Sequence, residues 1–266
     1  MQIDRANAAT MPRCRSCTRL TRGPAASVCL PVSPDRQSAT RIPGGESCCS
    51  ASTPSSASTA SCKGPEPPDE DRSDGFDRGG WLVPHASAHT NEVVESWFRA
   101  AGAFLFGRTS FDLLGGYWPK VTEPDDLIAT KLNTLPKYVV SSTLTDQEAG
   151  WSPTTVLRGE LVDEVRRLKE LPGMELQVHG SWKLVQTLHQ AGLVDLYRLL
   201  QYPVVVGTGK HLFPGGSTPA TFTTVDEKSR VLPGGVVSLT LKPASLGAIT
   251  AGAYTVDEGR SATVLS

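Results

Sequence analysis

The stretch that most constrains the fold runs from Leu176 to Phe213, LQVHGSWKLVQTLHQAGLVDLYRLLQYPVVVGTGKHLF. A short apolar run, Leu176 to Val178, turns through His179, Gly180 and Ser181 into an amphipathic segment. That segment carries Leu184, Val185 and Leu188 on one face and stops at Gly192. A second run, Leu196 to Val206, leads into a glycine-rich turn at Gly207 and Gly209. The order reads strand, glycine turn, helix, strand. Folds of the α/β class use this order to aim backbone N–H groups and a helix N-terminus at a phosphate.

Bulk properties narrow the partners. A chain of 266 residues has room for one large domain with tails, and a net charge of −1 gives no electrostatic reason to expect nucleic acid or an anionic membrane. No stretch approaches the roughly 20 apolar residues of a membrane span. Arg5, Arg13 and Arg15 precede no continuous apolar core, so a secretory signal is not expected and the cytoplasm is the expected compartment. All six cysteines lie in the first 62 residues. Cys14 and Cys17 form a CxxC without a second pair or a preceding strand, and the better reading is a segment outside the fold. No metal is expected.

Residues 1–62 are rich in Ser, Thr, Ala, Pro and Arg, with only Val28 to Val32 apolar and Pro31 interrupting it; composition predicts disorder. The polar GPEPPDEDRSDGFDRGGW that follows reads as a surface loop ending at Trp81, and its adjacent Asp69, Glu70 and Asp71 are not spaced as ligands. Thr90 or Asn91 is placed to cap a helix carrying Val93, Val94, Trp97 and Phe98. Ala103 to Phe106 reads as a buried strand. Gly107-Arg108-Thr109 follows at once and opens the next helix. Glycine lets the backbone approach a ligand, the helix end offers N–H groups, and Arg108 supplies positive charge. The alternative is a glycine turn with a surface arginine. Tyr117-Trp118-Pro119 ends that helix as packing. Asp125 to Leu135 is the next helix, and Lys137 to Val140 the next strand, with Ser141-Ser142-Thr143 at its C-terminal end, where open α/β sheets gather ligands. Thr155 to Leu157 is a strand. Glu160 to Leu171 is a helix with Glu164 and Lys169 on its solvated side. Thr221 to Val225 and Val236 to Leu241 alternate as a closing antiparallel hairpin around Pro233-Gly234-Gly235, before a polar tail at 244–266. Gly207-Thr208-Gly209-Lys210 lacks the P-loop spacing and reads as a mobile loop.

VHGSWKLVQTL and VDLYRLLQYPVVVGTGKHLF, with the earlier FLFGRTSF and LPKYVVSST, resemble the dihydrofolate-reductase-like family that includes the C-terminal reductase domain of bacterial riboflavin biosynthesis. The resemblance covers residues 63–243 and implies a three-layer α/β fold with a mixed, mostly parallel sheet and a C-terminal antiparallel hairpin. It implies an NADPH-dependent reductase of a small heterocyclic or ribosylamino-pyrimidine substrate, and a homodimer. Gly107, Arg108 and Thr109 then meet the cofactor phosphates. Gly180 and Ser181 cradle the pyrophosphate, with Ser181 doubling as N-cap. Ser141 and Ser142 face the adenosine end and its 2′-phosphate. Ser142 stands where many relatives carry arginine, which weakens the expected preference for NADPH over NADH. Trp81, Asp195 and Lys210 are the substrate-end candidates, Lys210 toward a substrate phosphate and Asp195 first as an anchor of its turn. His179 reads as a hydrogen-bonded structural residue rather than a general acid, and no catalytic acid stands out. Trp182 is bulky where relatives carry a small residue. The rival reading is a non-catalytic nucleotide-binding or interaction protein that keeps the fold.

Relatives also begin with a buried central strand followed by a Ser-Leu-Asp-Gly turn, which residues 1–62 lack. With suitable third bases, the codons of residues 57–64 read one nucleotide earlier give Leu-Asp-Gly-Val-Met-Gln-Gly-Pro. The expectation is that residues up to about Cys62 are an out-of-frame reading.

Overall fold

The computed structural model describes residues 27–30, 76–173, 175–207, 209–257 and 260–265. The Cys14–Cys17 pair, the acidic run Asp69 to Asp71 and the segment of the shifted reading lie outside the described residues. Helices and strands alternate as the periodicity predicts, with boundaries set by local chemistry. Helix α1 (Ala88–Ala100) starts earlier than expected. Ser87, not Thr90 or Asn91, is its N-cap, and Thr90 completes a capping box by returning a hydroxyl to the Ser87 N–H. Strand β2 (Ala101–Gly107) runs straight into α2 (Arg108–Gly115). Asp126 caps α3 (Leu127–Thr134) by accepting from the Ala129 N–H at 2.8 Å. Strands β3 (Lys137–Val140) and β4 (Thr154–Leu157), helix α4 (Leu161–Glu170), strand β5 (Glu175–His179) and helix α5 (Trp182–Gln190) follow.

Strand β6 (Leu196–Gln201) is shorter than the apolar run that begins it, because Pro203 cannot donate to a ladder. Strands β7 (Ala220–Thr224) and β9 (Val237–Leu246) pair antiparallel as the predicted hairpin, with the short β8 (Arg230–Val231) also on β9. The last two strands, β10 (Gly252–Asp257) and β11 (Arg260–Leu265), pair with each other as a separate ribbon where a polar tail was expected.

Among the described residues the main sheet has the order β4-β3-β2-β5-β1-β6-β9-β7, where β1 is Ser27–Leu30. Strands β4, β3, β2 and β5 are parallel neighbours. Strand β1 is antiparallel to both β5 and β6, so those two run the same way, and β9 runs against β6 and β7. The sheet is thus mixed, with only β1 and β9 reversed. The composition-based reading set all of residues 1–62 outside the fold; four of them hold the middle of the sheet, Val28 opposite both Val178 and Tyr197.

Strand alternation sorts the core into two layers. Phe104 and Phe106 of β2 face one side with Trp97, Phe98, Ile128 and Leu132 of α1 and α3. Leu105 faces the other with Leu176, Val178, Val165 of α4 and Leu184, Val185 and Leu188 of α5. Helices on both faces of the sheet give three layers. Lys169 of α4, expected in solvent, is instead largely buried and donates to Asp195 at 2.5 Å and to the Leu193 carbonyl at 2.9 Å. Its long apolar stem can cover the layer while its ammonium finds these two acceptors.

Candidate functional site

Parallel pairing of β2 with β5, Leu105 opposite Val178, brings two strand-to-helix turns side by side at the C-terminal end of the sheet. One is Gly107 to Ser110 at the start of α2. The other is Gly180-Ser181 at the start of α5. They are locked reciprocally: the Gly107 N–H donates to Ser181 Oγ at 2.8 Å, and the Ser181 N–H donates to Ser110 Oγ at 2.9 Å. Ser181 is the N-cap residue of α5, as expected, but it spends its hydroxyl across the turns and makes no side-chain cap. Its own backbone is left-handed, φ 53°, next to Gly180 at φ 66°. A Cβ on Gly180 would sit 3.1 Å from Ser110 Oγ, and one on Gly107 would sit 3.3 Å from Ser181 Oγ. Side chains at these glycines would press on the serine hydroxyls that lock the turns together.

Beside this junction lies a cleft of about 460 Å³ walled by Arg108, Ser141, Ser142, Thr143, Arg158 and Gly159, with Val140 and Leu157 beneath. Among the described residues no carboxylate lines it, although Asp112 and Asp146 pair with its two arginines. Ser141 is buried, and its hydroxyl accepts from the N–H groups of Thr143 and Leu144 at 3.3 and 3.0 Å, so it shapes the turn. Ser142, Thr143 and Thr109 are exposed. Arg108 donates through Nε to Asp112 one turn along, at 2.6 Å. Glu148 accepts from the Thr145 N–H and hydroxyl, and these, more than the nearby Arg108, hold its carboxyl below the usual range. Arg158 was not among the residues singled out from the sequence. The only available signal was its position one residue beyond a short strand, which becomes meaningful once β3 and β4 pair in register, Val140 opposite Leu157.

The remaining candidates divide between the two ends of the sheet. Trp81 stands edge-on to Tyr202 at 5.9 Å, just past the C-terminal end of β6. Lys210 lies 5.7 Å over the ring of Trp182, the first residue of α5, so both belong to the same end as the facing turns. Asp195 does not. It precedes β6 at the opposite end of the sheet, ion-paired to Lys169, which is the turn-anchoring role.

His179 ends β5 directly before Gly180, but its ring is buried, stacked on Phe98 with centroids 4.5 Å apart, and hydrogen-bonded to Gln177 Oε1 at 3.0 Å. Burial drives its pKa down to about 3, so it is neutral at working pH. Gln177 in turn donates to Glu175 at 2.8 Å and to the Trp97 carbonyl at 2.8 Å. Arg198 approaches Glu175 at 3.6 Å from β6. Burial pushes the Glu175 carboxyl up to about 7, against the opposing pull of Gln177 and Lys228. This polar stripe along one face of β5 was missed by a reading that saw only the apolar Leu176 and Val178.

Among the described residues no helix is long and apolar enough to cross a membrane, and no group of three or more His, Cys, Asp or Glu is placed to hold a metal ion.

Residues 56–251 match the family described as the RibD C-terminal domain. The uncharacterised protein YyaP of Bacillus subtilis (strain 168) is 37% identical over 111 residues, 41% of this chain and 57% of its own length, so the chain spans little more than half of that curated relative. A solved protein from Shewanella sp. PV-4 named for riboflavin biosynthesis is 18% identical, with a TM-score of 0.44 over 60% of this chain and 81% of its own. RibD of Acinetobacter baumannii is 15% identical, with a TM-score of 0.43 over 59% of this chain and 51% of its own. Matched over well more than half of its length, the chain belongs to the RibD C-terminal domain family and has its dihydrofolate-reductase-like α/β fold.

Proposed function

We propose that this protein is an NADPH-dependent reductase of a small heterocyclic or ribosylamino-pyrimidine substrate. The observation that carries the reading is the pair of interlocked turns, Gly107 to Ser110 and Gly180-Ser181, which sets two helix starts side by side at the C-terminal end of the sheet beside an open cleft. Adjacent helix starts offer a pyrophosphate the first-turn N–H groups and positive ends of two helices. Gly107, Arg108, Thr109, Gly180 and Ser181 would hold the phosphates, and the cleft at Ser142 and Thr143 would hold the adenosine end. When bound, the cofactor supplies a hydride; the protein supplies binding, orientation and exclusion of water. His179, neutral and buried, fixes the end of β5 beneath the turn rather than donating a proton. Trp81, Trp182 and Lys210 flank the substrate end, with Lys210 the group suited to an anionic substituent.

A second reading, a nucleotide-binding protein without turnover, draws on Trp182. Its ring opens α5 with Lys183 and Lys210 at 5.5 and 5.7 Å, where a small residue would leave more room. One experiment separates the two. The protein is titrated with NADPH by tryptophan fluorescence, then given a phosphoribosylamino-pyrimidine while NADPH absorbance is followed. Saturable quenching with NADPH consumption is expected. Quenching without consumption across pyrimidine substrates would favour the second reading, and no quenching would remove both.

A further inference from the structure

Resting on the reductase reading above, we infer that Trp182 is a positioning residue: its indole seats Lys210 and so fixes the loop that presents this ammonium to the substrate end. Lys210 Nζ stands 5.7 Å from the centre of the Trp182 ring, within reach of a cation–π contact, and Lys183 Nζ stands over the same ring at 5.5 Å. The indole is half-buried and opens α5 directly after Ser181, whose hydroxyl accepts from the Gly107 N–H. The platform under Lys210 is therefore carried by the same turn that locks the two helix starts together.

The seat is one of three contacts along one helix face. Trp182, Gln186 and His189 are spaced i, i+4 and i+7 on α5, so they share a side. Gln186 donates through Nε2 to the His211 carbonyl at 2.9 Å. His189 donates through Nε2 to the Thr218 carbonyl at 2.9 Å, and its Nδ1 pairs with the Tyr197 hydroxyl at 2.8 Å. The segment 209–219 is thus fastened to α5 at Lys210, His211 and Thr218, with Leu212 buried. The chain enters it through Gly207 and Gly209, at φ 85° and 140°, where glycine leaves the backbone free and side-chain contacts must set the path. A small residue at position 182 would remove the contact nearest the site and keep the two farther ones. The bulk that the second reading counts as an obstruction thus has a use. It holds Lys210 where an anionic substituent of the substrate would meet it.

The test reads the seat and its consequence separately. Trp182→Ala, Trp182→Phe, Lys210→Ala and the double variant Trp182→Ala/Lys210→Ala are compared with the wild type, and thermal melts check that each folds. Without ligand, acetylation of the Lys210 amine and amide exchange over 209–219 are followed by mass spectrometry. Trp182→Ala should speed both roughly 2- to 10-fold, the range a cation–π contact predicts, while Trp182→Phe keeps most of the protection. NADPH consumption is then followed with a phosphoribosylamino-pyrimidine and with its dephosphorylated counterpart. Trp182→Ala should raise KM for the phosphorylated substrate roughly 2- to 10-fold with kcat and the other KM within about 2-fold. The double variant should be no worse than Lys210→Ala, because the two residues act as a unit. Additive losses in the double variant, or unmoved acetylation and exchange in a folded Trp182→Ala, would overturn the assignment. So would tighter NADPH binding with an unmoved KM, which would make the indole an obstruction to the nucleotide. A wild type that consumes no NADPH with either substrate would remove the reductase reading, and acetylation and exchange would still decide whether Trp182 seats Lys210.

Discussion

At the scale of single residues, the site depends on two backbone conformations that side chains resist. Gly180 sits at φ 66° with Ser110 Oγ 3.1 Å from where its Cβ would be, so Gly180→Ala meets both a left-handed backbone and a close contact. The left-handed conformation alone costs an L-residue about 1–2 kcal/mol. The variant should melt several degrees lower and bind NADPH more weakly; an unchanged melt and titration would show that the turn relaxes without effect on the site. Ser181 shows where residue-level reading stops. Its position before an amphipathic run predicts an N-cap, but β2 lies next to β5, and the Gly107 N–H takes the hydroxyl instead. Capping is a local rule, and the competing donor is 74 residues away in sequence.

At the scale of elements, β5 carries opposite chemistries on its two faces. Leu176 and Val178 were readable as core, whereas Glu175, Gln177 and His179 form a buried polar stripe against α1 and β6. The two titratable members of the stripe act on stability with opposite sign. Glu175, raised from 4.5 to about 7, adds stability that is complete below pH 4.5 and is lost as pH rises through 7. His179, lowered from 6.5 to about 3, adds stability that is complete above pH 6.5 and is lost as pH falls toward 3. Between pH 4.5 and 6.5 the two trends oppose each other. Urea unfolding across pH 4 to 8 should therefore show Glu175→Gln gaining on the wild type as pH rises, whatever the offset from losing the contact with Arg198. Parallel pH profiles for the two proteins would mean that Glu175 titrates alike in the folded and unfolded chain. The same scale explains the strand limits: the apolar run from Leu196 to Val206 is continuous, but the ladder with β9 ends at Gln201, where Pro203 approaches.

At the scale of the whole molecule, the decisive feature is the slot between β5 and β6. Both strands run the same way, and the short β1 lies between them in reverse. A proline inside a centrally paired strand removes a ladder hydrogen bond and is tolerated essentially only on edges or at bulges, so Cys29→Pro should lower the melting temperature sharply. An unchanged melt would show that β1 does not hold the sheet together. The central role would then pass to the strand in the shifted reading of residues 52–64, which resequencing of the gene checks. Sequence alone determined the order of helices and strands from Ala88 to β9, the two strand-to-helix glycine turns and the family, because hydrophobic period and glycine position are local properties written directly in the chain. Only the tertiary structure decided that Arg158 joins Ser142, that Ser181 bonds Gly107, that Asp195 lies at the opposite end of the sheet from the facing turns, and that Ser27–Leu30 enters the sheet. Each of these depends on which strands become neighbours and in what register, and pairing is settled by the burial of the whole sheet between two helical layers rather than by any one segment.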